Sequence, residues 1–142
     1  VRVKDWEARL DYYIGTIRDF PFKWGFNDCL CLADGAINAQ TGSYLFQDWR
    51  GTYSNEWGCL LNYKKKLKKV GCSDIVEAVD KRLDRLNVAI PMRGSLVGRR
   101  DHLGASVMSI AFGIVVSDKA AFLGYDGLVF LPVQDNDIFW NV

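Results

Sequence analysis

Histidine is almost absent from this chain: His102 stands alone among 142 residues. Zinc knuckles need close Cys/His pairs, and the four cysteines, Cys29, Cys31, Cys59 and Cys72, match no zinc spacing. No metal and no cofactor is therefore expected. Long apolar runs are lacking too, so no membrane span is expected. The start, Val1-Arg2-Val3-Lys4-Asp5, does not read as a signal peptide. Neither sign of charge dominates: 18 Lys and Arg face 17 Asp and Glu, a net charge of +1, so no overall field draws the chain to nucleic acid or a membrane. Repeats, low-complexity tracts and linkers are absent. The even cysteine count permits disulfides, but a chain with a sufficient core, made in a reducing cytosol, keeps free thiols.

What is present is an ordinary globular composition, 49% hydrophobic and 25% charged, over a length that suits one domain spanning 1–142. Trp6, Leu10, Tyr13, Ile14 and Ile17 recur at helical spacing after Asp5, which reads as a cap, and Asp19-Phe20-Pro21 ends the run. Residues 44–53 read as an irregular connection. A third helix starts near Ser54, with Trp57, Leu60, Leu61, Tyr63 and Leu67 as its apolar side and Gly71 after its end. Its last turns carry Lys64, Lys65, Lys66, Lys68 and Lys69, a solvated face or a contact for an acidic partner surface. A fourth helix begins at Ser73-Asp74, with Glu77 placed for a capping box. From Pro91 the pattern turns to strands: Leu96-Val97, Met108 to Val116, Ala120 to Leu123, Leu128 to Val133 and Ile138 to Trp140. Gly98 to Ala105 reads as a polar loop, and Gly124-Tyr125-Asp126-Gly127 as a hairpin turn. Helices first and strands after predict an α+β domain, N-terminal helices packed on a C-terminal antiparallel sheet.

The stretch around which the rest is organised is Phe22-Lys23-Trp24-Gly25-Phe26-Asn27-Asp28-Cys29. Asn27 or Asp28 can cap a helix whose first turn holds Cys29, with Leu30, Ala33 and Ile37 behind it and Gly42 past its end. A thiol at a helix N-terminus feels the positive end of the dipole and ionises more readily, as a cysteine nucleophile must. The alternative is a small buried hydrophobe.

Trp24-Gly25-Phe26-Asn27-Asp28-Cys29 resembles the Gly-x-x-Asp-Cys nucleophile motif of the NlpC/P60 papain-like superfamily. The whole chain resembles a phage-encoded branch of it, a family of unknown function associated with cell-wall peptidases. Two further pieces carry that resemblance, Arg93-Gly94-x-Leu96-Val97 and the run from Ala120 to Pro132 with Trp140 after it. It implies a papain-like NlpC/P60-type domain with Cys29 as nucleophile on a central helix, Trp24 and Asp28 in the cleft beside it, and partner residues on the sheet. The base position matches Ala111, the third catalytic position falls in Ala120 to Phe122, and the usual acidic residue of the Arg-Gly-Asp segment is Ser95. A nucleophile without a base is incomplete. His102, nine residues before Ala111, is the one substitute base available; its other reading is a surface loop histidine.

Three functions follow from the resemblance. The first is a degenerate cysteine peptidase serving structurally in a phage tail tip or baseplate. It would be made in the host cytoplasm, carried in the virion and bound to tail hub or distal tail proteins, with Trp49 and Trp140 as interface anchors. The second is an active cysteine peptidase or amidase that cuts peptidoglycan during genome injection. The third is a binder of small molecules or acyl groups in the cleft around Cys29. None of them involves nucleic acid.

Overall fold

Helix α2, Cys29–Thr41, is buried without interruption from Leu30 to Ile37 in the computed structural model, which describes residues 1–87, 91–100 and 110–142. Two local devices set its ends. Asp28, in extended conformation, accepts from the Cys31 N–H at 2.9 Å, and Gly42 takes the left-handed conformation at φ +78°, its N–H bonded to the Asn38 carbonyl.

Helix α1, Trp6–Ile17, lies against α2, and the Tyr13 hydroxyl donates to the Leu32 carbonyl at 3.2 Å. Asp5, expected as its cap, makes no side-chain capping bond; Trp6 N–H bonds the Val3 carbonyl instead, so the backbone does that work. A short 3-10 helix, Gln47–Trp49, sits within the connection read as irregular. Helix α3, Glu56–Val70, is capped by Asn55, whose side chain accepts from Gly58 N–H at 2.7 Å. Helix α4, Ile75–Asp80, is capped by Asp74, and Glu77 reaches back to the N–H and hydroxyl of Ser73.

Among the described residues five strands follow: β1 Leu96–Arg100, β2 Ile110–Val115, β3 Lys119–Gly124, β4 Gly127–Pro132 and β5 Ile138–Trp140. They form one antiparallel sheet in the order β4-β3-β2-β1-β5. The expected hairpin joins β3 to β4, Gly124 opposite Gly127. Alternation along the strands makes two apolar layers. Leu96, Ile110, Phe112, Ile114 and Trp140 pack with α2, α4 and Leu10 of α1. Val97, Val115, Ala120, Phe122 and Phe139 form a second cluster on the other face. The chain is thus α+β, with N-terminal helices and a C-terminal antiparallel sheet.

Three expectations are corrected. The stretch read as a loop from Gly98 begins instead as strand, since Gly98, Arg99 and Arg100 continue β1 opposite Phe112, Ala111 and Ile110. A charged residue is tolerated there because the Arg99 guanidinium meets Asp137 with two bonds of 2.9 and 2.8 Å, donates to the Pro132 carbonyl and lies over the Phe122 ring. Trp49 and Trp140, expected as interface anchors, are core residues at 6% and 0% exposure; Trp140 Nε1–H donates to Asp80 at 2.8 Å. Trp57 and Leu61, expected on the inner side of α3, are exposed, because Cys59 and Leu67 form the buried stripe. The part of the predicted loop from Asp101 to Ala105, and Met108 and Ser109 of the predicted strand, lie outside the described residues.

A buried carboxylate beside Cys29, the candidate functional site

The turn that leads into α2 is tied by Asp28, a carboxylate only 2% exposed. Its Oδ1 accepts from Cys31 N–H; its Oδ2 accepts from Gly25 N–H at 2.9 Å and from the Tyr53 hydroxyl at 2.5 Å. Gly25 is at φ +79°, and a Cβ there would stand 2.0 Å from the Tyr53 carbonyl oxygen. Its own carbonyl accepts from Gly51 N–H, and Arg50 donates to the Phe26 carbonyl, both at 2.9 Å or less. Glycine and aspartate in Gly25-x-x-Asp28 are therefore explained by architecture: one permits the close approach, the other gathers three donors from three segments.

Cys29 follows at the first position of α2, half-buried and packed on the α2 face of the sheet. Burial pushes its thiol up to about 12, and the Asp28 carboxylate adds to the rise, while the backbone amides of Phe112 and Leu30 pull the other way. Burial thus opposes the helix N-terminus, and the preceding side chain is a carboxylate where a nucleophile would need a cation. Burial and Asp28 also push Cys31 up to about 12 and Cys59 up to about 11. All four cysteines are free thiols.

A family model matches residues 1–142, and its description is a domain of unknown function, DUF6950. The chain belongs to the DUF6950 family. No match was found among curated proteins, and none among solved structures.

The other positions expected at a site in this DUF6950 chain are scattered. Ala111 packs into the second cluster, on the sheet face opposite Cys29, and Phe112 is the β2 residue on the Cys29 side. A strand alternates its faces, so the residue opposite the thiol is one position later than the matched one, and it too is apolar. Ala120, Ala121 and Phe122 are buried and offer no polar side chain. Ser95 adjoins Gly94, whose carbonyl accepts from the Gln40 side chain near the C-terminal end of α2. That is about 16 Å along the helix from Cys29 at 1.5 Å per residue. The buried Ser95 hydroxyl has no hydrogen-bond partner among the described residues. His102 lies outside the described residues. Trp24 is half-buried and meets Phe22 edge-on at 4.8 Å. A cavity of about 650 Å³ between α1 and α2 is lined by Tyr12, Tyr13, Tyr44 and Arg50 among others, and neither Cys29 nor Trp24 borders it.

Among the described residues, no group of three His, Cys, Asp or Glu could hold a metal ion, and no helix is long and apolar enough to cross a membrane. Sequence reasoning missed Tyr53 and Gly51 as partners of the Asp28 turn. They lie about 25 positions away, and no local pattern points from one to the other.

Proposed function

We propose that this DUF6950 chain is a degenerate papain-like, NlpC/P60-type cysteine-peptidase domain acting as a structural part of a phage tail tip or baseplate. In this reading it is made in the host cytoplasm, carried in the virion and bound to hub or distal tail proteins. The observation that carries the loss of catalysis is the apolar lining beside Cys29: Phe112 is the β2 residue on its side of the sheet, and Ala111, the matched base position, lies on the other face. Acyl transfer by cysteine needs a thiolate and a base within hydrogen-bond reach. Here the surrounding groups oppose the first, and the described residues hold no imidazole for the second.

The remaining motif residues support the same reading. Gly25 and Asp28 stay useful without chemistry because they join the α2 turn to the segment around Tyr53. A scaffold keeps such residues while its base position becomes apolar. The phage assignment rests on the sequence resemblance alone.

Two measurements test this. Purified protein on a peptidoglycan zymogram is expected to give no clearance beyond that of Cys29→Ala. Purified virions are expected to contain the chain at fixed stoichiometry, and Cys29→Ala particles to infect normally. Clearance that disappears in Cys29→Ala would overturn the loss of catalysis; absence from virions would overturn the structural role.

A further inference from the structure

Helix α3 presents an outer stripe that nothing among the described residues covers. Trp57, Leu61, Lys64 and Lys68 follow one another at i, i+4, i+7 and i+11, so they share one face. Trp57 is 67% exposed and Leu61 51% exposed, and Lys64, Lys65, Lys68 and Lys69 are all exposed. The opposite side of the helix holds the buried Cys59 and Leu67.

The charge on this helix is one-sided in a chain that is nearly neutral. Five of the 18 cationic residues lie in α3, against one of the 17 carboxylates, Glu56. Neighbouring carboxylates are committed elsewhere: Asp74 caps α4, Glu77 binds Ser73, and Asp80 holds Arg85 and Trp140. Among the described residues Lys64, Lys65, Lys68 and Lys69 form no ion pair.

We propose that the outer face of α3 docks on an anionic phospholipid surface, with Trp57 and Leu61 entering the headgroup region and Lys64, Lys65 and Lys68 meeting lipid phosphates. Each part of the stripe suits that surface. An indole is favoured at a membrane–water boundary, where its ring is half apolar and its N–H finds acceptors. Lysine stems lie along apolar surface while their ammonium groups reach the phosphates. The stripe is the convex back of a helix. A flat, fluid, anionic layer conforms to such a surface, and its charge complements that of the lysines. The docking is independent of Cys29.

Co-sedimentation of the full chain with vesicles tests the proposal. Two compositions are compared, phosphatidylcholine alone and phosphatidylcholine mixed with phosphatidylglycerol. Partitioning is expected to be at least roughly tenfold stronger on the mixed vesicles and to fall steeply with added salt. Lys64→Glu with Lys68→Glu should lower it by about tenfold or more, and Trp57→Ala with Leu61→Ala by roughly fivefold. Lys119→Glu, on β3 and outside α3, should leave it nearly unchanged. The salt titration needs no variant and stands even if one fails to fold. Equal partition onto both compositions, no partition at all, or salt-insensitive partition would overturn the proposal. So would partition that survives the α3 changes in folded variants. An acidic protein as the true partner would appear here as absent vesicle binding, and so as refutation.

Discussion

Tyr53 donates its hydroxyl to Oδ2 of Asp28 at 2.5 Å, joining two segments 25 positions apart. Burial, and next the carboxylate itself, push the phenol up from its ordinary range, so the donor stays protonated. Replacing Tyr53 by Phe leaves the buried carboxylate one donor short. The expected cost is about 1–3 kcal/mol, read from urea unfolding. A midpoint equal to that of the unmodified chain would show that the bond does not hold the turn.

Gly25→Ala should be more damaging than its one added methyl suggests. The residue sits at φ +79°, and the new Cβ would overlap the Tyr53 carbonyl. A loss above about 2 kcal/mol is expected, with calorimetry as the measurement. Gly42→Ala is the comparison: φ +78° but open space around the Cβ, so a loss nearer 1 kcal/mol, roughly the cost of the left-handed conformation alone.

Alkylation of Cys29 should be slow at neutral pH. Only the thiolate reacts, and this thiol is raised from 9.0 to about 12. Its rate in the folded protein is expected to lie at least roughly tenfold below that of the same cysteine in the unfolded chain, and to climb only in strong alkali. The sign for stability follows. The folded state keeps the proton that the unfolded state loses, so this contribution is complete below the unfolded value and declines as pH rises from 9.0 toward about 12. Fast labelling of Cys29 at neutral pH, located by mass spectrometry, would refute both statements.

Asp80 should matter through Trp140. Its carboxylate takes the indole N–H at 2.8 Å and pairs with Arg85, and the Arg85 bond above all holds it below its usual range. Asp80→Ala leaves a buried N–H without its acceptor, at a cost of about 1–3 kcal/mol. A depressed carboxylate stabilises above its unfolded value and loses that contribution as pH falls through its folded value. The gap between variant and unmodified chain should therefore narrow in acid below 3.8. Denaturation curves across that range measure it; a gap independent of pH would assign the effect to packing.

Trp140→Ala should cost about 3–5 kcal/mol, since the ring is fully buried against Phe112 and a Cβ at Gly98 would crowd it. Trp57→Ala should change stability by less than about 0.5 kcal/mol. Thermal melts of the pair would separate core from surface, and similar losses would contradict the burial of Trp140 and the exposure of Trp57.

Local rules made much of this fold legible. Asp28, Gly42, Gly71 and Asp74 mark helix ends because a cap is an interaction within three or four residues, and Gly124 to Gly127 marks a hairpin for the same reason. Side-chain periodicity was enough to separate the helical half from the strand half. Asp5 misled, because an acidic residue before a helix is only a candidate cap and here the Val3 carbonyl supplied the bond.

The sequence by itself determined the order of elements, the position of Cys29 in the first turn of α2 and the apolar character of Ala111 and of Ala120 to Phe122. Tertiary structure decided what that cysteine is worth. Its acidity depends on desolvation and on Asp28, and Asp28 depends on Tyr53 across 25 positions. It also decided which tryptophans are core. Trp49, Trp57 and Trp140 carry the same side chain in similarly mixed surroundings, and only the tertiary packing, which sets Trp49 against Phe46 and Tyr63 and Trp140 against Phe112, buries two and leaves Trp57 in solvent. A net charge of +1 is compatible with a local lysine-rich face on α3, because charge acts over roughly a Debye length rather than over a whole chain.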